Sequence, residues 1–183
     1  MKIILASQSP RRQEILKKAN ITFDVIPSQV EEIFNKEMTV EDAVMDLAYQ
    51  KAKWVAESNK DALVIGSDTI VVINNEVLGK PKNHEDAIRM LSLLENNVHE
   101  VITGVSLIKK DKVHNFYEKT YVYFKPMTPE NIEQYIKEEN VYDKAGSYAI
   151  QGEAMTYVDH IEGDYYNVMG LPIDRLLKEL KNI

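Results

Sequence analysis

The spacing of apolar positions changes several times along this chain, and each change marks an element. Residues 2–6 form a short continuous apolar run, which predicts a buried strand. Ser9 and Pro10 then supply an N-cap and a first helical position for a helix reaching about residue 19. Residues 22–27 read as a second strand. From Thr39 the apolar residues recur at Val44, Leu47, Ala48 and Val55, with Ala52 at the edge of the stripe, so a helix runs to about residue 57. Residues 62–73 predict a strand interrupted by polar residues, and Asn74-Asn75 predicts a hairpin turn. Asn83 caps a helix ending near Leu94. Residues 98–108 and 113–124 pair as a second hairpin around 109–112, and Thr128-Pro129 opens another helix. Residues 154–161 and 165–168 read as strands, followed by a last helix from Pro172. Hairpins beside crossover helices predict an α/β fold with a mixed sheet.

Composition narrows the function classes. A chain of 183 residues suits one compact domain with room for two lobes, and no repeat, low-complexity tract or linker divides it. Cysteine is absent, which excludes a disulfide framework, a thiolate nucleophile and a zinc–thiolate site, and fits a cytoplasmic location. The apolar run at residues 1–6 is too short for a signal peptide, and no stretch approaches the ~20 apolar residues that span a bilayer. No membrane partner is therefore expected. A formal net charge of −7 argues against broad nucleic-acid binding, which needs an electropositive surface. It permits a small anionic ligand, because a basic cluster or a bound cation reverses the field locally.

Four places break their own local rules, which is where functional sites tend to lie. In Ser7-Gln8-Ser9-Pro10-Arg11-Arg12 a helix that should favour acidic residues in its first turn carries two arginines. Either both point to solvent, or backbone N–H groups, serine hydroxyls and a guanidinium converge on a phosphate. Lys51 falls in the middle of the apolar stripe of its helix, so it either snorkels to water or meets a phosphate or carboxylate. Asp68 interrupts an apolar strand at Gly66-Ser67-Asp68-Thr69. That is turn chemistry, or a metal ligand or general base at a strand end. Asp143-Lys144-Ala145-Gly146-Ser147-Tyr148-Ala149-Ile150-Gln151-Gly152 has glycines for close backbone approach, a Tyr able to stack on a flat ligand and a Gln able to bond a base edge. Lys80 stands in a tight turn, and Glu31-Glu32 adds carboxylates after the second strand. The four histidines are too scattered for a zinc cluster, so any metal is an oxygen-ligated Mg²⁺ or Mn²⁺.

In order along the chain, these segments resemble the Maf family of septum-formation-inhibitor-like nucleotide pyrophosphatases. The matching stretches are LASQSPRR at residues 5–12, QKAK at 50–53, GSDT at 66–69, LGKP at 78–81, HEVITGV at 99–105, DKAGSYAIQG at 143–152 and GDYYNVMGLP at 163–172. Ala149 stands where Gly is expected in many members. The resemblance implies a two-lobed α/β fold around a long mixed sheet flanked by helices, with an active-site cleft between the lobes. It also implies hydrolysis of a nucleoside triphosphate to the monophosphate and pyrophosphate, and a homodimer. Thr69 and Gln151 resemble the branch acting on dTTP and UTP rather than the one preferring 7-methyl-GTP.

Under that resemblance, Ser7, Ser9, Arg11, Arg12, Lys51 and Lys80 clamp the triphosphate, with Lys144 as a further contributor. Glu32 and Asp68 hold the cation, Asp68 also orients or deprotonates the attacking water, and Thr69, Tyr148 and Gln151 contact the base. Two rivals are a nucleotide-binding regulator of cell division without turnover and a protein-interaction module of the division machinery. A bare interaction surface has no need of matched acidic and basic motifs.

Overall fold

The computed structural model describes residues 1–183, the side chain of Glu153 apart. β1 (Ile3–Leu5) leads through Ser7 into α1 (Pro10–Lys18), with Ser9 as N-cap. β2 is only Asp24–Val25, shorter than the strand expected over 22–27; both residues are exposed, so no buried face extends it. α2 (Val40–Ala56) starts where Thr39 accepts the Asp42 N–H at 3.2 Å. β3 (Leu63–Ile73) is one unbroken strand through Gly66-Ser67-Asp68 rather than two strands and a turn. It turns at Asn74 (φ 50°) and Asn75 (φ 64°) into β4 (Glu76–Leu78), the positive-φ pair that a two-residue hairpin needs. α3 (His84–Leu94), β5 (Val98–Lys109), β6 (Lys112–Phe124) and α4 (Pro129–Glu138) follow as expected. Beyond them come two 3-10 turns, Ala145–Ser147 and Gly152–Thr156, then β7 (Val158–Glu162), α5 (Tyr165–Met169) and α6 (Ile173–Glu179).

Two expectations near the end need correction. The strand expected over 154–161 begins inside the Gly152–Thr156 3-10 turn, closed by the Tyr157 N–H on Ala154 O at 2.9 Å, and only β7 is extended. Residues 165–168 are helical despite their aromatic and β-branched composition. Asp164 Oδ1 accepts the Tyr166 N–H at 2.8 Å at the head of this turn. The helical turn then aims the buried Asn167 amide at Val101 O (3.0 Å) and Thr120 Oγ1 (2.9 Å).

The strands form a seven-stranded mixed sheet in the order β2-β1-β3-β5-β6-β7, with β4 on β3. β1 pairs parallel with β2 and β3, whereas β3–β4 and β6–β7 are antiparallel. The chain divides into two compact units: Met1–Thr69 with Thr103–Glu118 and Gly170–Ile183, and Ile70–Ile102 with Lys119–Met169. In the first, Ile4, Val64 and Ile108 of the strands pack with Ala52 and Val55 of α2. The core of the second gathers Val71, Leu91, Phe124, Ile132 and Tyr148. Among the described residues no helix is long and apolar enough to cross a membrane.

Glycine sets how closely α2 lies on β3. A Cβ on Gly66 would sit 2.2 Å from the Ala48 carbonyl oxygen and 2.8 Å from the Ala52 Cβ. One on Gly104 would sit 2.4 Å from the Val44 carbonyl oxygen. The helix therefore rests directly on the backbone of two strands, with alanines at the contact. Lys51 lies between those alanines and is carried to the level of Asp68.

Candidate active site

Two linked clusters occupy the first unit. Lys51 Nζ lies 2.5 Å from Asp68 Oδ1 and 3.0 Å from Glu32 Oε1. The Lys51 and Asp68 side chains are each 12% exposed and Glu32 is 52% exposed, so the pair is shielded and open on the Glu32 side. Lys51 thus meets carboxylates rather than snorkelling to water. Of the acidic pair, Glu32 is the residue that reaches it.

The second cluster surrounds Arg12. Its Nε donates to Gly170 O (2.8 Å), one terminal nitrogen to Ser7 Oγ (3.1 Å) and the other to Thr69 Oγ1 (3.1 Å). Ser67 Oγ donates to the same Gly170 carbonyl at 3.0 Å. Ser7 Oγ also accepts the Ser9 N–H at 3.2 Å, and Ser9 Oγ faces the Arg12 N–H at 3.5 Å. A guanidinium has five N–H donors, so these bonds leave two of Arg12's for a ligand. Burial pulls its pKa below the ordinary value; Asp68 and Glu32 oppose that shift and Arg11 adds to it. Arginine titrates so high that it stays cationic near neutrality. Arg11 is half-buried in the same helical turn.

Thr69 Oγ1 lies 2.9 Å from Thr103 Oγ1 as well as on Arg12. A hydroxyl has one donor and two acceptor sites, so one position remains for a ligand. If Thr103 donates to it, Thr69 presents a donor; if Thr69 donates to Thr103, it presents an acceptor. Thr103 and Gly170 O were not foreseen as site residues. Thr103 lies in a strand run of buried residues, and a backbone carbonyl leaves no trace in composition. Gly170 itself sits at φ +112°, where an added Cβ would stand 3.4 Å from both Arg12 Nε and Thr69 Oγ1.

Lys80, Lys144, Tyr148 and Gln151 belong to the second unit. The Gly146 N–H donates to Gly79 O at 3.1 Å, tying the turn that carries Lys80 to the loop over 143–152. Gly146 needs φ +69°, and a Cβ there would meet Val71 Cγ2 at 3.0 Å. Lys80 is exposed. Lys144 Nζ donates to the Asn140 carbonyl and, at 2.8 Å, to Asp143. Gln151 is half-buried just before the Gly152–Thr156 turn.

Tyr148 is placed differently from a stacking platform. It is 5% exposed, its ring lies edge-on to His99 and Phe124, and its hydroxyl is 2.6 Å from His99 Nε2. It anchors the loop to β5 from inside the core. Burial pushes its phenol pKa up and lowers His99 to about 3. Neutral His99 therefore contributes stability above pH ~6.5, the ordinary histidine value, which is lost as pH falls toward 3. Proton uptake by the unfolded chain at this one residue removes about 2 kcal/mol between pH 7 and pH 5. Urea unfolding at both pH values should show that loss in the wild type and a smaller one in His99→Gln. Equal losses would discard the assignment.

Among the described residues no group of three or more His, Cys, Asp or Glu side chains gathers as a metal site. Glu32 and Asp68 remain as an oxygen pair converging on one cationic atom.

The chain is similar to proteins of known naming. A dTTP/UTP pyrophosphatase of Bacillus cereus is 53% identical over 180 residues, covering 98% of this chain and 94% of that protein. Another, of Bacillus thuringiensis subsp. konkukian, is 52% identical over 98% of this chain and 94% of its own length. The Ham1 protein of Staphylococcus aureus aligns with a TM-score of 0.47 at 17% identity, over 68% of this chain and 72% of that one. The Maf-like protein profile matches residues 2–183, nearly the whole chain and every motif of the site, so the protein belongs to the Maf family.

Proposed function

We propose that this protein hydrolyses nucleoside triphosphates, dTTP and UTP foremost, to the monophosphate and pyrophosphate. The observation that carries the reading is the shielded Lys51–Asp68 pair, joined by the more exposed Glu32, in the unit whose first helix bears Arg11 and Arg12 at its N-terminus. A cation clamp and a carboxylate within one unit suit phosphoryl transfer, where positioning and electrostatics do most of the work. The pyrimidine preference rests on the names of the Bacillus relatives and on Thr69 and Gln151.

Water attacks the α-phosphorus, the bond to the α–β bridging oxygen breaks, and pyrophosphate leaves. Asp68 orients the water and accepts its proton. Arg12, Arg11 and Lys51 hold the phosphate oxygens as charge shifts toward the leaving group. The donors available fit a hard divalent cation. Two carboxylate oxygens already converge on one positive atom, and Mg²⁺ takes one or two carboxylates with the remaining ligands from substrate phosphates and water. Glu32 and Asp68 would hold Mg²⁺ or Mn²⁺, which supplies charge neutralisation at the phosphates.

The test is pyrophosphate release from purified protein with Mg²⁺ or Mn²⁺ across dTTP, UTP, CTP, ATP, GTP and 7-methyl-GTP. Release mainly from dTTP and UTP is expected. Release from 7-methyl-GTP alone would keep the chemistry and overturn the roles given to Thr69 and Gln151. No release from any nucleotide would replace the enzyme with a nucleotide-binding regulator.

A further inference from the structure

We infer that Lys51 is a built-in competitor of the divalent cation, and that this competition makes metal and nucleotide bind cooperatively. The nucleotide half of the inference rests on the hydrolase reading above; the competition between lysine and metal does not.

The two carboxylate oxygens suited to a hard cation are the ones Lys51 Nζ already holds, at 2.5 and 3.0 Å. A dication arriving at these carboxylates meets an ammonium in the same few ångströms, and the two like charges compete for them. Lys51 has little room to retreat. It stands in the apolar stripe of α2 between Ala48 and Ala52, whose backbone is pinned on Gly66. Its side chain is 12% exposed, so water replaces the lost carboxylates poorly. Metal binding to the protein alone therefore carries the cost of an ammonium left without its anions.

A triphosphate changes that balance. Its oxygens give Lys51 new acceptors, so the ammonium moves to phosphate as Glu32 and Asp68 turn to the cation. The ligand removes a penalty that otherwise lowers metal affinity. Linkage makes the effect reciprocal: metal raises nucleotide affinity by the same factor. The free protein then resists metal occupancy, and the charged site assembles when both components are present.

The experiment is a Mn²⁺ titration followed by the electron paramagnetic resonance signal of free Mn²⁺. Wild type, Lys51→Met and Lys51→Arg are compared with and without α,β-methylene-dTTP, after subtraction of Mn²⁺ held by the analogue alone. Without nucleotide, Lys51→Met is expected to bind Mn²⁺ on the order of tenfold tighter than wild type, within the usual range of site-to-site coupling. Lys51→Arg, which keeps the cation, should stay near wild type. The analogue should tighten Mn²⁺ binding in the wild type and lose most of that effect in Lys51→Met. Equal or weaker Mn²⁺ binding by Lys51→Met would overturn the inference. So would wild-type affinity indifferent to the analogue, a comparison that decides the matter even if Lys51→Met does not fold. Failure of the hydrolase reading would appear separately, as absence of pyrophosphate release, while the nucleotide-free titration would still report on Lys51.

Discussion

Asp68→Asn is expected to lower pyrophosphate release about a thousandfold while leaving the protein folded. The size follows from the role. Loss of a positioned general base costs on the order of 10²–10⁴-fold, and the same change removes one of two oxygens offered to the cation. The fold should survive because the asparagine carbonyl still accepts from Lys51, and Glu32 stays within 3.0 Å of the ammonium. Asp68 also lies in a strand whose backbone pairing needs no carboxylate. The stability change should remain near 1 kcal/mol, the scale of one weakened hydrogen bond. Turnover and urea unfolding, measured on one preparation, separate the two effects. Turnover within tenfold of wild type would remove Asp68 from the chemistry. A collapse of stability would make it a structural partner of Lys51.

The parts of this site that can be read from the chain are those where a local cost is visible. Arginines at a helix N-terminus, a lysine inside an apolar stripe and an aspartate inside a buried strand each oppose a neighbour-level preference, and all three lie in the Lys51 and Arg12 clusters. The hairpin at Asn74-Asn75 is legible for the converse reason, since its positive φ values suit asparagine. What escapes the chain depends on distant partners. Tyr148 has the composition of an exposed loop residue, yet His99, 49 positions away, holds its hydroxyl in the core. Tyr165–Met169 has strand-like composition, but Asn167 makes its bonds to Thr120 and Val101, 47 and 66 positions away. The Gly170 carbonyl gathers Arg12 and Ser67 from 158 and 103 positions away. Periodicity carries no information about such meetings.

Gly66→Ala should be among the most damaging single-methyl changes available in this protein. The added Cβ would stand 2.2 Å from the Ala48 carbonyl oxygen and 2.8 Å from both the Ala52 nitrogen and its Cβ. No flexible side chain can yield there; two of the three neighbours are helix backbone. α2 would have to lift from β3, opening the contact that Ala48, Ala52 and Val55 close. Overpacking of this kind costs about 3 kcal/mol, near the upper end of its usual range. The helix also carries Lys51, so a displacement of about 1 Å would misplace the ammonium for the phosphate and cost on the order of 10² in rate even where the protein remains folded. Gly79→Ala is the matched control, because a Cβ there meets nothing within 4 Å. It should stay within about 0.5 kcal/mol of wild type, as surface substitutions do. Urea midpoints and turnover for the two variants test the seating of α2. Gly66→Ala as stable and active as Gly79→Ala would mean that the glycine does not set the approach of the helix to the strand.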